Sequence, residues 1–240
     1  MSPFTPVRRT SVSAEVFEQI AAQILDGTLT PGTALPPERV LTETLGVNRQ
    51  ALREALQRLD QLGLVEIRHG EATRVRDYRH DAGLDLLPRL FLRPDGTVDP
   101  LVVRSVMEMR AAVGADAAAL CAARADPDLV LKLQRLVEEL AATGEDDRGA
   151  LDGRFWDLIV DGSGNICYRL SLNALRQAYR PAEPMVARVL VAEHRAVDDY
   201  RAVVTAIAGR DAAGAARAAA ALLARGTTAM QTLLAMEEPS

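Results

Sequence analysis

Residues 30–39 read TPGTALPPER, and residues 45–63 read LGVNRQALREALQRLDQLG. The Pro-Gly pair of the first stretch predicts a turn, and the second stretch predicts a helix that Asn48 caps. Its apolar residues recur at helical spacing, which indicates one buried face. Residues 64–68 and 73–76 predict two short strands joined by a tight turn. This order of elements predicts a winged helix-turn-helix with a small β-wing, a fold whose second helix enters the major groove of DNA.

The second helix of this motif carries side chains suited to reading DNA. Arg49 and Arg53 are four residues apart, so they project from one side of the helix. An arginine can donate two hydrogen bonds to the O6 and N7 atoms of guanine. The amides of Asn48 and Gln50 can contact bases, and Arg39 of the preceding helix is placed to bind a phosphate. At the wing tip, Gly70 permits close approach of the backbone to DNA. The candidate DNA-binding residues are Arg39, Asn48, Arg49, Gln50, Arg53, His69 and Gly70. The alternative is a solvated helix face with ordinary salt bridges.

The rest of the chain predicts helices only. Asp99-Pro100 and Asp126-Pro127 each start a helical pattern, and residues 162–165 form a turn into another. One long helix is expected from Pro184 to Ile207, followed by an Ala-rich last helix. Six or seven helices with short loops predict an all-α antiparallel bundle. The expected fold class is therefore mainly α, with a DNA-binding domain over residues 1–78 and a bundle over residues 79–240.

Composition excludes several classes of protein. A formal net charge of −5 over 240 residues argues against adhesion of the whole chain to nucleic acid. Two cysteines without metal-type spacing predict buried free thiols. Neither a signal peptide nor a membrane-spanning run is evident, so a cytoplasmic protein without a membrane partner is expected. Three histidines and no nucleophile elbow give general-base chemistry few candidates, so we expect no catalytic residues and no enzyme.

The DNA-binding stretch resembles the GntR family of bacterial transcription regulators. The resemblance rests on Pro31-Gly32, residues 35–39, residues 45–49, residues 52–56 and Gly63-Leu64-Val65. The remainder is similar to the all-helical effector domain of the FadR subfamily, where Asp152, Phe155 and Ser163-Gly164-Asn165 occur in the family's order. This resemblance implies a homodimer that binds a double-stranded DNA operator and a small-molecule effector.

Most members of this subfamily hold a metal ion with one aspartate and three histidines. Asp152 matches the aspartate, but Trp156, Tyr200 and Leu222 stand where the histidines would be. Imidazole donors hold transition metals, so we expect no metal here. His194 lies about six residues from the nearest matching position and is expected to point elsewhere.

The wing and the segment after it are similar to the subfamily members that respond to fatty acyl-CoA, as residues 67–70, 73–75 and 82–87 indicate. The resemblance implies a regulator of fatty-acid metabolism, whose DNA affinity depends on a long-chain fatty acyl-CoA and which needs no cofactor. The candidate effector-binding residues are Arg110, Trp156, Tyr179 and Tyr200. Two alternatives stay open: the three aromatic residues are plain bundle core, or the effector is another small metabolite such as a carboxylate, with or without a metal.

Overall fold

The structure, a computed structural model, describes residues 11–68, 70–93 and 96–237. The chain divides into two compact units, Met1–Leu86 and Leu87–Ser240. The division after Leu86 lies beyond the domain boundary that we expect from the sequence, which follows residue 78. Within the described residues, no helix combines the length and the apolar character needed to cross a membrane.

The first unit is a helical motif closed by a two-stranded sheet. Its elements are α1 (Val12–Leu25), α2 (Glu38–Leu45), α3 (Arg49–Gln61), β1 (Val65–Glu66), β2 (Arg74–Val75) and α4 (Tyr78–Asp81). The two strands pair antiparallel, with Val65 opposite Val75. Each strand is only two residues long, which is shorter than the sequence predicts. The helices and wing are those expected of a winged helix-turn-helix.

The core of the first unit forms where α1 packs against α3. The predicted buried face of α3 is confirmed, as Ala51, Leu52, Ala55, Leu56 and Leu59 are all buried. Phe17 and Ile20 of α1 are buried as well. Ser11 caps α1, since its side chain accepts a hydrogen bond from the Ala14 N–H, and Ser13 is buried.

The second unit is built from helices. They are α5 (Leu87–Phe91), α6 (Pro100–Arg124), α7 (Pro127–Ala142), α8 (Arg148–Gly162), α9 (Ile166–Tyr179), α10 (Glu183–His194), α11 (Val197–Ala208) and α12 (Ala212–Glu237). The predicted starts of three helices are confirmed, and there the side chains of Asp99, Asp126 and Asn165 each accept a backbone N–H. The expectation of one long helix from Pro184 to Ile207 is wrong, because the chain leaves the helix at Arg195 and Ala196 and begins α11.

Packing in the second unit centres on α6 and α12, which lie against one another along most of their length. Alanines such as Ala117, Ala118, Ala215 and Ala219 are fully buried there, and their small side chains allow the close approach. A second apolar cluster lies around Phe91, among α5, α6, α9, α10 and α12. Cys121 is buried, as expected, whereas Cys167 is exposed, contrary to expectation.

Candidate DNA-reading surface and effector pocket

The start of α3 presents the candidate DNA-reading side chains. The Asn48 side-chain oxygen accepts a hydrogen bond from the Ala51 N–H at 2.8 Å, which satisfies one free donor of the first turn. Arg49, Gln50 and Arg53 follow and are exposed. The capping role of Asn48 leaves its amide nitrogen available for another contact. The buried face of α3 fixes the helix, so the exposed face can be offered to a ligand.

Carboxylates lie beside most of these exposed side chains. The Arg53 Nε donates to both carboxylate oxygens of Glu38, at 3.1 and 3.3 Å. The same pattern holds for two pairs within single helices: Gln50 donates to Glu54 at 3.0 Å, and Arg39 to Glu43 at 2.7 Å. Arg49 forms no ion pair with any residue that the structure describes.

The wing tip lies next to this surface. Gly70 has φ +80°, a left-handed conformation that favours glycine. His69, the other candidate of the wing, lies outside the described residues. Arg74 donates to the Gly32 carbonyl at 3.1 Å and so ties β2 to the turn before α2. A groove of about 660 Å³ runs between the start of α2, α3 and the wing, and Arg53 is part of its lining.

In the second unit, three of the four candidate effector residues meet at a small cavity. Arg110 of α6, Trp156 of α8 and Tyr179 of α9 line a cavity of about 50 Å³. A second cavity of about 20 Å³ shares Arg110 and Tyr179 with the first, and its other walls are apolar. Tyr200 does not line either cavity: it is fully buried, with its ring 4.9 Å from that of Phe155.

The Arg110 side chain is held by a carboxylate that sequence reasoning missed. Its Nη1 and Nη2 atoms donate to Oε1 and Oε2 of Glu193, at 2.7 and 2.6 Å. The Glu193 side chain is 0% exposed, and that of Arg110 is 14% exposed. Burial alone would lower the pKa of Arg110, but the Glu193 carboxylate outweighs burial and raises it. Burial raises the pKa of Glu193 above its ordinary value, and Arg110 opposes that rise.

A second buried carboxylate, Asp152, lies in the wall of the larger cavity. The Tyr200 hydroxyl donates to its Oδ1 at 2.7 Å, and His194 Nε2 lies 3.8 Å from its Oδ2. Burial acts to raise the pKa of Asp152, yet His194, Arg110 and Tyr200 together hold it below its ordinary value. The expectation that His194 points elsewhere is therefore wrong. His194 is the last residue of α10, and the packing of α10 against α8 places its imidazole beside Asp152.

These residues do not fit the metal site that the family resemblance implies. The positions of the three histidines are occupied by Trp156, Tyr200 and Leu222, and the Tyr200 hydroxyl hydrogen-bonds the one matching carboxylate. Among the described residues, no group of three or more His, Cys, Asp or Glu side chains is arranged to hold a metal ion. Transition metals need more nitrogen or sulfur donors than a single distant imidazole provides.

Two buried nitrogens beside the site have no hydrogen-bond partner among the described residues: Trp156 Nε1 and His194 Nε2. Arg176 of α9 also lines the larger cavity and donates to the Gly153 carbonyl at 2.7 Å. The sequence offered no signal for Glu193 or Arg176, because both belong to ordinary amphipathic helices. Only packing of α6, α8, α9 and α10 brings them to Arg110 and Asp152.

Comparison with known proteins gives matches to two family models. The model for bacterial regulatory proteins of the gntR family matches residues 12–75, and the FCD domain model matches residues 105–225. The first match covers the winged helix-turn-helix, and the second covers most of the helical unit. The helical match includes Arg110, Asp152, Glu193 and Tyr200.

Among similar sequences, the HTH-type transcriptional regulator Mce2R of Mycobacterium tuberculosis is 46% identical over 233 residues, which is 95% of each chain. A fatty acid metabolism regulator protein of Edwardsiella ictaluri is 36% identical over 165 residues, 68% of this chain and 66% of that protein. Among solved structures, the Listeria monocytogenes regulator Lar covers 95% of this chain and all of its own, at 17% identity and TM-score 0.56. These relatives and fold neighbours are transcription regulators and not enzymes.

Proposed function

The chain belongs to the gntR family of bacterial regulatory proteins and carries an FCD domain, and on this premise we propose that it regulates genes of fatty-acid metabolism in response to a long-chain fatty acyl-CoA. That it is a DNA-binding transcription regulator follows from the family. The observation that carries the effector proposal is the meeting of a buried arginine with apolar walls at the paired cavities. The name of the Edwardsiella ictaluri relative supports it.

An acyl chain gains free energy by leaving water, about 0.8 kcal/mol for each buried methylene. The smaller cavity offers the apolar surroundings, with Phe91, Met107 and Met230 in its wall. At about 50 and 20 Å³, the two cavities are far below the roughly 300–1,000 Å³ of ordinary ligand pockets. Binding therefore requires the helices to separate, and flexible methionine side chains ease such repacking.

This opening supplies a mechanism for control of DNA binding. A ligand that binds only the opened bundle shifts the protein toward that form by its difference in affinity for the two forms. We propose that the protein is a homodimer, because two identical heads suit a two-fold operator. Opening of the bundle then changes the spacing of the two α3 helices, which couples effector binding to operator binding.

The test is a gel shift with an operator selected from random DNA by the purified protein. Palmitoyl-CoA at micromolar concentration is expected to change operator affinity at least fivefold, whereas free coenzyme A has no effect. The folded Arg110→Met variant is expected to lose the response to palmitoyl-CoA. Unchanged operator affinity with palmitoyl-CoA would remove the proposed effector and leave the DNA-binding function.

One observation favours the alternative effector, a small carboxylate. The Arg110 guanidinium already binds the Glu193 carboxylate with two hydrogen bonds of 2.6 and 2.7 Å, so its geometry suits a carboxylate ligand. Thermal unfolding with a panel of short dicarboxylates and hydroxy acids beside palmitoyl-CoA separates the two effectors. A rise in Tm with a short acid alone would select the carboxylate.

A further inference from the structure

Glu193 is the most deeply buried carboxylate among the described residues, and it is paired with Arg110, which lines both cavities. Glutamate is almost never fully buried unless it is paired, and here the pairing is complete, since both oxygens receive N–H groups of Arg110. A buried ion pair is weak evidence for stability, because the loss of hydration can exceed the attraction. The pair therefore calls for a reason beyond holding the bundle together.

The position of the pair points to the effector site. Arg110, Tyr179 and Leu190 are common to the walls of both cavities, so the guanidinium lies where the two cavities approach one another. A ligand whose apolar part fills one cavity, and whose polar group is attached directly to that part, brings this group close to Arg110. That polar group would meet a guanidinium whose Nη1 and Nη2 atoms are already engaged.

The packing of the surrounding helices leaves space for the Glu193 carboxylate. A Cβ atom built on Gly226 of α12 would lie 2.0 Å from Glu193 Oε1, so the absence of a side chain there makes room for the carboxylate. At the end of α10, Arg148 donates to the His194 carbonyl at 3.0 Å. The carboxylate thus links α10 to α6 through Arg110 and lies directly against the backbone of α12.

We infer that Glu193 is a built-in ligand of the effector site, which the oxyanion group of an effector replaces on Arg110. This inference rests on the proposed function and names the chemistry of the effector: an apolar chain that carries a carboxylate or phosphate. In the free protein, the Glu193 carboxylate occupies the two Nη donors. In the bound protein, the oxyanion accepts those two hydrogen bonds, and Glu193 leaves its place between α6 and α12.

Replacement of Glu193 has two consequences for regulation. The free protein stays closed until the effector concentration overcomes the internal competitor, so the apparent affinity is lower than that of an open site. The end of α10 loses its contact with α6 when the carboxylate leaves. Movement of that helix end is then coupled to occupancy of Arg110 and not merely to filling of the apolar cavity.

The experiment compares the full-length protein with Glu193→Gln, which keeps the shape of the side chain and removes its charge. The chain contains one tryptophan, Trp156, which lines the larger cavity, so its fluorescence reports binding directly. Palmitate and palmitoyl-CoA are titrated separately to distinguish a carboxylate from the phosphates of coenzyme A. We expect Glu193→Gln to bind the active ligand about tenfold more tightly than the unaltered protein.

The matched control is Glu138→Gln, which removes an exposed carboxylate that pairs with Arg201 on the same bundle. It is expected to leave both affinities unchanged. Equal or weaker binding by folded Glu193→Gln, with circular dichroism like that of the unaltered protein, overturns the inference. No binding of either ligand to either protein overturns the proposed effector and this inference together.

A second measurement needs no variant and covers the case in which Glu193→Gln does not fold. Methyl palmitate has the same chain as palmitate but no charge, so it cannot replace the carboxylate on Arg110. We expect the unaltered protein to bind the ester at least tenfold more weakly than the charged ligand. Equal affinities would show that the apolar chain alone opens the site. The inference that the oxyanion replaces Glu193 on Arg110 would then be wrong.

Discussion

Arg53, a predicted DNA-reading residue, is paired with a carboxylate in a way that would leave it available to a base. Both hydrogen bonds to Glu38 come from Nε, so the Nη1 and Nη2 groups remain for a guanine edge. The pair is exposed, with side-chain exposures of 65% and 41%, and an exposed ion pair contributes only about 0–1 kcal/mol to stability. The Arg53–Glu38 pair instead fixes the direction of the Arg53 guanidinium, which lies on the side of α3 that faces away from the core.

Arg53→Lys tests this role of the guanidinium. Lysine keeps the charge but cannot donate a two-pronged pair of hydrogen bonds, so discrimination between operator and unrelated DNA should fall by about 1–3 kcal/mol. Competition gel shifts at one salt concentration measure that discrimination. Arg201→Lys, on the helical unit, is the control and should change nothing. Full discrimination by Arg53→Lys would contradict base reading by Arg53.

Tyr200→Phe tests the hydrogen bond to Asp152. Loss of the donor leaves a buried carboxylate less satisfied, which should lower the free energy of unfolding by about 1–3 kcal/mol at pH 7. The pKa of Asp152 is lowered in the folded protein, so this stabilisation is present above the ordinary pKa of about 3.9. It is lost as pH falls through the lower folded value, and the difference between the proteins should shrink below about pH 4.

Urea unfolding at several pH values makes this measurement. Tyr168→Phe is the matched control, because its hydroxyl donates to Asp116 at an exposed site and its loss should cost much less. A Tyr200→Phe effect that stays constant from pH 7 to pH 3 would show that the contribution of the hydroxyl does not depend on the charge of Asp152.

At the scale of elements, signals in the local sequence were sufficient to predict most of the helices. Asp99 and Asp126 each precede a proline and cap the next helix, and that local chemistry does not depend on the rest of the fold. The end of α10 had no such signal, since Arg195 and Ala196 are compatible with a continuous helix. The end of α10 is instead held by long-range contacts: Arg148 binds the His194 carbonyl, and Arg110 binds Glu193. The site residues on α10 were missed for the same reason.

Gly226→Ala tests how tightly α10 and α12 are fitted. In an exposed helix, alanine would be about 1 kcal/mol more favourable than glycine. Here the added methyl meets Glu193 Oε1 at 2.0 Å and Leu190 Cδ2 at 3.1 Å, so the clash should prevail and lower Tm. Gly153→Ala in α8 is the control, because its methyl would meet only Arg176 at 3.9 Å. Gly153→Ala should leave Tm unchanged or raise it.

At the scale of the whole molecule, a chain of formal charge −5 must bind a polyanion through a local surface. Attraction to phosphates then depends on a few arginines, and each neutralised phosphate contributes about −0.9 to the slope of log affinity against log salt. The sequence predicts the face of α3 that carries these arginines. It could not predict Glu38 beside Arg53, since this pair joins two helices across a turn.

Arg39→Ala separates phosphate contact from base reading. If Arg39 holds a phosphate, the variant should bind operator and unrelated DNA more weakly by a similar factor, and the salt slope should become about 1 unit shallower. Binding measured from 50 to 300 mM potassium chloride gives both quantities. Arg154→Ala on the helical unit serves as the control. A loss confined to the operator, with an unchanged slope, would assign Arg39 to a base instead.

The carboxylates of Glu38, Glu43 and Glu54 have a consequence for the search along the chromosome. On random DNA, the phosphates compete with these internal partners, and no guanine contact compensates for their release. Residence on such DNA should therefore be brief, which speeds transfer from one segment to the next. Only the operator supplies enough contacts to hold the protein for long, so selectivity begins with rapid departure from incorrect sites.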